Sequence, residues 1–126
     1  MSTLHVLYVD DEPDIREIAA MALELDPGFE VRTAASGFAA LDLLKSGGWR
    51  AEVILLDLMM PGLDGHALLG EVRKIHGCAT TPVIFVTART QAADIDRLIA
   101  QGATAVITKP FDPMLLAKQV RAILDL

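Results

Sequence analysis

A single cysteine, Cys78, rules out an internal disulfide, and the first residues lack the basic-then-apolar layout of a signal peptide. Both absences favour the cytoplasm. No apolar run approaches the roughly 18 residues a membrane helix needs, so no membrane insertion is expected. No run of Lys or Arg exists either, and the formal net charge is -6 with a pI near 4.9. A surface for nucleic acid or anionic lipid is therefore not expected, and partners should be proteins or small molecules. There is no internal repeat and no low-complexity segment. The chain has 126 residues, 52% of them hydrophobic, which is too short for two domains but long enough for one continuous core.

What is present is organised around Val53-Ile54-Leu55-Leu56-Asp57-Leu58-Met59-Met60-Pro61-Gly62. Four consecutive apolar residues bounded by turn chemistry read as a strand buried on both faces, yet that strand ends on a carboxylate. Asp57 loses hydration there, so a cation, a proton or hydrogen-bond donors must compensate it.

The rest of the chain alternates strand and helix. Leu4 to Val9 is a short apolar strand closed by Asp10, Asp11 and Glu12. Pro13 suits the first turn of a helix that carries Ile15, Ile18, Ala19 and Ala22 at helical spacing and stops at Pro27-Gly28. Phe29 to Ala34 is a less apolar strand suited to an edge, and Ser36 can cap a helix with Phe38, Leu41 and Leu44 that stops at Gly47-Gly48. After the central strand, Asp64 can cap a helix with Leu68, Val72 and Ile75, ended by Gly77. Val83 to Val86 forms a fourth strand ending on Thr87, followed by a helix with Ile95, Leu98 and Ile99 running to Gly102. Ala105 to Thr108 forms a fifth strand ending on Lys109-Pro110. Asp112-Pro113 opens a last helix with Leu116, Val120, Ile123 and Leu124.

Five such alternations with fully apolar middle strands indicate an α/β fold, a doubly wound five-stranded parallel sheet with five helices. Ligands of such sheets bind beyond the carboxyl ends of the strands. Here that rim collects Asp10, Asp11, Asp57, Thr87 and Lys109, each group at the end of a different apolar strand. Converging carboxylates repel each other, and a hard divalent cation relieves the repulsion. With oxygen ligands and neither Cys nor His at these positions, Mg²⁺ suits the site better than zinc. Taken singly, the residues have plainer readings. The acids can simply favour a helix N-terminus, Lys109 can form a buried ion pair with Asp57, and Thr87 can bond to backbone. Taken together, a screened carboxylate can attack phosphorus to form an acyl phosphate, with hydroxyl and ammonium binding the phosphoryl oxygens.

The combination resembles the receiver domain of two-component response regulators, across essentially the whole chain. The matching pieces are Val9-Asp10-Asp11-Glu12, then Asp57 with Met60-Pro61-Gly62-Leu63-Asp64-Gly65, then Thr87-Ala88, and finally Lys109-Pro110-Phe111. The resemblance implies a flavodoxin-like, CheY-like sheet of order 2-1-3-4-5, with residues 1-126 as a single receiver domain carrying no output domain. It implies Asp57 as phosphoacceptor and Asp11 as direct Mg²⁺ ligand. Asp10 would act through a metal-bound water, and Met59 would contribute its backbone carbonyl. Thr87, Ala88 and Lys109 match the phosphoryl-contacting positions, and Lys109-Pro110 matches a cis peptide. The phosphodonor implied is a phosphohistidine on a sensor histidine kinase or a histidine phosphotransfer protein. The domain would act as a signalling switch that catalyses its own phosphorylation and slow dephosphorylation, and not as an enzyme proper.

By the same resemblance Thr87 moves inward on phosphorylation, and the fourth helix, fifth strand and fifth helix form the output face for a downstream protein target or a homodimer. One departure stands out: Val106 occupies the fifth-strand position where the family usually has a switching Tyr or Phe. Ile15 and Phe111 flank the rim as an apolar patch suited to a helical kinase domain, and Arg89 borders the phosphoryl position. Three alternatives differ from this reading at particular residues. A haloacid-dehalogenase-like phosphatase wants an acid where Met59 stands. A flavodoxin-like flavin binder wants phosphate donors where Asp10, Asp11 and Glu12 stand. An interaction-only pseudo-receiver should lack one of the rim residues, and none is missing.

Overall fold

The computed structural model describes residues 3–88 and 91–126. Ten elements alternate strictly: β1 (Leu4–Val9), α1 (Pro13–Glu24), β2 (Phe29–Ala34), α2 (Gly37–Lys45), β3 (Val53–Asp57), α3 (Gly65–Arg73), β4 (Val83–Thr87), α4 (Ala92–Gln101), β5 (Ala105–Thr108) and α5 (Leu116–Leu124). All neighbouring strands pair in parallel, in the order β2-β1-β3-β4-β5. The expected topology is the observed one, with the less apolar Phe29–Ala34 segment at an edge as anticipated.

Strand alternation divides the core into two layers. Leu7, Val9, Ile54, Leu56, Val83 and Phe85 face α2, α3 and α4, which contribute Ala40, Leu41, Leu44, Leu68, Leu69, Val72 and Leu98. Val6, Tyr8, Val53, Leu55, Ile84 and Val86 face α1 and α5, which contribute Ala19, Ala22, Leu23, Leu116, Ala117 and Val120. Every residue of β3 and β4 is buried. At about 1.5–3 kcal/mol for each fully buried aliphatic side chain, these strands anchor the rim from beneath. Among the described residues, no helix is long and apolar enough to cross a membrane.

Ser36 and Asp64 cap their helices as expected, accepting the Ala39 and Ala67 N–H groups at 3.0 and 2.9 Å. Gly65 opens α3 where backbone and core converge. A Cβ there would lie 2.7 Å from the Asp57 carbonyl oxygen and 2.8 Å from the Phe85 ring. Only glycine lets α3 start this close to the end of β3.

Three expectations need correction. The third helix ends at Arg73, so Ile75 lies in the turn beyond it, its N–H donating to the Val72 carbonyl at 3.0 Å. The last helix does not open at Asp112-Pro113. The Asp112 side chain accepts the Met114 N–H and its carbonyl accepts those of Leu115 and Leu116, which forms a separate turn before α5 begins at Leu116. Ile18, Phe38 and Ile99, read as core-facing by their spacing, are instead 44%, 59% and 45% exposed. Each lies at the margin of its helix's buried stripe, where smaller neighbours such as Ala19 and Ala40 take the inner positions.

Candidate functional site

Asp10, Asp57, Thr81 and Thr87 are the buried polar residues among those described, and all but Thr81 sit at the carboxyl ends of the strands. Buried polar side chains are the informative exceptions in a core, and here they mark one rim. Sheet order explains the convergence. β1, β3, β4 and β5 are parallel neighbours, so the residues ending each of them meet along one edge.

Asp10 is completely buried, and its carboxylate accepts from three donors. Its Oδ2 accepts the Tyr8 hydroxyl at 3.2 Å and the Lys109 ammonium at 2.9 Å, and its Oδ1 accepts the Glu12 N–H at 3.0 Å. The Arg16 guanidinium donates to the Asp10 carbonyl at 2.9 Å. Lys109 Nζ also lies 3.4 Å from Asp57 Oδ2, so one ammonium bridges two acids. The Met59 N–H points to Asp57 Oδ1 at 3.4 Å. Carboxylate oxygens of Asp10, Asp11 and Asp57 all lie within 4.8 Å of one another.

The electrostatics follow from three clustered carboxylates with one ammonium, which pairs with two of them. Burial raises the Asp57 carboxyl above its ordinary value. Lys109 opposes that shift while the Asp10 charge adds to it, and the net result is upward. Burial pulls Lys109 down, but its hydrogen bond to Asp10 and the two nearby acids more than reverse this, so its pKa rises. Burial first and Asp10 second push the Tyr8 phenol well above its usual range. The site keeps excess negative charge on a pocket of oxygen donors, which is the donor chemistry that a hard divalent cation accepts.

Residues 6–121 match the family model of the response regulator receiver domain. The chain belongs to that family. It is 40% identical over 120 residues to the transcriptional regulatory protein CseB of Streptomyces avermitilis, a match covering 95% of this chain and 48% of that protein. Against the CpxR homolog of Haemophilus influenzae, another transcriptional regulatory protein, identity is 39%, covering 94% and 49%. The chain thus spans about half the length of these curated relatives. Among solved structures, the chemotaxis response regulator CheY4 of Vibrio cholerae superposes with a TM-score of 0.85 at 34% identity, covering 97% of this chain and 99% of that one. The receiver domain of the response regulator NarL from Mycobacterium tuberculosis gives 0.85 at 30% identity, covering 99% and 98%. Residues 6–121 therefore form a response-regulator receiver domain, the switch module of two-component signalling.

The other expected residues of the receiver are arranged as follows. Thr87 is buried at the end of β4, its carbonyl accepting the Lys109 N–H at 2.9 Å, and Ala88 beyond it is exposed. The Met59 side chain is 60% exposed while its backbone lies beside Asp57. Val106 is half-buried, pairs with Phe85 across β4 and β5, and packs on the α2–α4 side of the core. The Lys109-Pro110 peptide is cis. Ile15 and Phe111 meet across a groove of about 350 Å³, lined also by Ile18, Ala88, Lys109 and Pro113. Arg89 lies outside the described residues. Away from the rim, His5 stacks on Trp49 and His66 bonds to Gln101.

In the sequence Tyr8 reads as one more apolar strand residue. The available signal was its place two residues before Asp10, which puts the two side chains on one face of an extended strand.

Proposed function

We propose that this receiver accepts a phosphoryl group on Asp57 from a phosphohistidine of a histidine kinase or histidine phosphotransfer protein, in a Mg²⁺-dependent reaction. The observation that carries this reading is the meeting of Asp10, Asp11 and Asp57 within 4.8 Å, with Lys109 bridging Asp10 and Asp57. Carboxylates of Asp11 and Asp57 and the Met59 carbonyl would hold the ion directly, and Asp10 through a water. Bound there, the ion would screen the acids and neutralise charge on the phosphoryl oxygens.

In the transfer, an Asp57 carboxylate oxygen bonds to phosphorus as the P–N bond to the donor imidazole breaks. The bonding pair leaves with the imidazole nitrogen, so the product is an acyl phosphate. Lys109, already within 3.4 Å of Asp57, neutralises charge that builds on the phosphoryl oxygens. The Thr87 hydroxyl and the Ala88 N–H supply further donors at the end of β4. This chemistry is positioning and charge stabilisation more than bond-making by the protein.

The groove between Ile15, Ile18 and Phe111 is lined by Lys109, and it shares Ile18 and Pro113 with an apolar cleft of about 230 Å³ lined also by Met21, Ala22 and Leu25. A helical phosphodonor domain seated there would present its histidine to Asp57. Output is assigned to the α4-β5-α5 face, toward a protein target or a second copy. With Val106 on β5, inward movement of Thr87 would be accommodated by an aliphatic side chain and not by rotation of a ring. The named relatives are transcriptional regulators, so in a longer protein this face would govern a DNA-binding segment.

The reading is tested by intact mass after incubation with a small acyl-phosphate or phosphoramidate donor and Mg²⁺. One phosphoryl gain is expected, lost in Asp57→Asn and lost with a chelator. A folded protein that gains nothing under these conditions would refute it.

A further inference from the structure

We propose that Tyr8 is a positioning residue for the cation site: its buried hydroxyl joins Lys109 in occupying one oxygen of Asp10, leaving a single acceptor position on the other oxygen for the ion or its water. The inference rests on the Mg²⁺-dependent reading above.

A carboxylate offers about four acceptor positions, two on each oxygen. On Asp10, Oδ2 already takes the Tyr8 hydroxyl and the Lys109 ammonium, and Oδ1 takes the Glu12 N–H. One position on Oδ1 remains. Asp10 can therefore meet a cation in one way only, and cannot rotate to chelate with both oxygens.

The donor that fixes this count from below is rigid. Tyr8 is completely buried in β1, between Thr33 of β2 and Leu55 of β3, and its ring packs in the layer covered by α1 and α5. A phenylalanine would fill the same space. The hydroxyl is thus not needed for packing, and placing it in a core requires an acceptor. The acceptor it meets is the most buried acid of the rim. Without the Tyr8 hydroxyl, Lys109 and the Glu12 N–H would still hold one position on each oxygen, but Oδ2 would gain an open position and Asp10 a second way to meet the ion. Outer groups that orient a metal's ligands typically govern affinity by about 10- to 100-fold.

Tyr8 is the chain's only tyrosine, so protein labelled with ¹³C at tyrosine Cζ gives one resonance for this ring. The experiment is a titration with Mg²⁺ and no phosphodonor, followed by that resonance and by calorimetry, on the wild type and on Tyr8→Phe. The wild-type resonance is expected to move with the same midpoint as calorimetric binding, and Tyr8→Phe to bind Mg²⁺ roughly tenfold more weakly. A resonance that stays still while the wild type saturates overturns the role of Tyr8, as does an unchanged affinity in Tyr8→Phe, and both leave the phosphoacceptor reading standing. A wild type that binds no Mg²⁺ overturns that reading and this inference together. Should Tyr8→Phe fail to fold, the wild-type resonance alone decides.

Discussion

Two carboxylate–cation arrangements of the receiver look alike in composition and behave in opposite ways. At the corner where α1, β2 and α5 meet, Asp26 is gripped by Arg121 through both Nε and Nη2 and accepts the Gly28 N–H at 2.9 Å. The same guanidinium lies 4.9 Å from the centre of the Phe29 ring. One acid has one fork-shaped cation, and the Asp26 carboxyl is held below its ordinary range chiefly by the Arg121 hydrogen bond. At the rim, Asp10, Asp11 and Asp57 cluster around one ammonium that pairs only with Asp10 and Asp57, and burial carries Asp57 upward despite it. The corner is neutralised within the chain and has nothing left to bind. The rim is left short of positive charge, and that shortage is what a cation and a phosphodonor can use.

The largest test of this contrast is Asp57→Asn. Phosphoryl uptake should vanish, while the melting temperature without Mg²⁺ should rise by a few degrees. The sign follows from the raised carboxyl. Between the ordinary value and the raised one, the folded state holds a proton that the unfolded state releases, so stability falls as pH rises through that window. Above the window the ionised Asp57 is a net cost, which asparagine removes. A calorimetric scan showing the variant less stable at neutral pH would break the contrast.

Lys109→Met should be next in size. Loss of the cation facing the phosphoryl group should slow phosphorylation by small donors roughly 10²-fold. The variant should also unfold at lower denaturant concentration, because Asp10 is left buried without its cation. Stopped-flow kinetics with equal rates for the two proteins would remove Lys109 from the chemistry.

The smallest effect belongs to the corner. Asp26→Asn should lower the urea midpoint only slightly, less than Lys109→Met does, since the pair is partly exposed and screened, and should leave the phosphorylation rate unchanged. Because the folded carboxyl lies below its ordinary 3.8, the stability it contributes is present above that value. The gap between wild type and variant should therefore close as pH falls through the lower folded value. A gap that persists in strong acid, or a slowed phosphorylation, would mean the corner and rim are coupled.

How much of this was legible beforehand differs from element to element. Val53 to Asp57 announced a buried strand ending on an acid, and strand–helix alternation with apolar middle strands announced a parallel sheet, because two-fold and 3.6-fold periodicities are local. Ser36 and Asp64 were readable as caps for the same reason. Ile18 and Phe38 were not placed correctly. Helical spacing identifies a stripe but not its width, and Ile18 instead lines the groove while Phe38 covers the Gly62 turn. The turn at Asp112 was read as a helix start because capping chemistry serves both.

The sequence by itself determined the elements, the sheet class and the residue types that end each strand, since all of these depend on neighbours a few positions apart. Only the tertiary structure decided which atoms share an oxygen. Lys109 reaches Asp10 across 99 positions of chain, and that contact exists because β5 and β1 end on one edge of a single sheet. Tyr8 became a polar partner and not just another core side chain because the sheet buries its hydroxyl beside the Asp10 carboxylate. A buried hydrogen bond of that kind is set by the packing of every surrounding layer, and no local pattern encodes it.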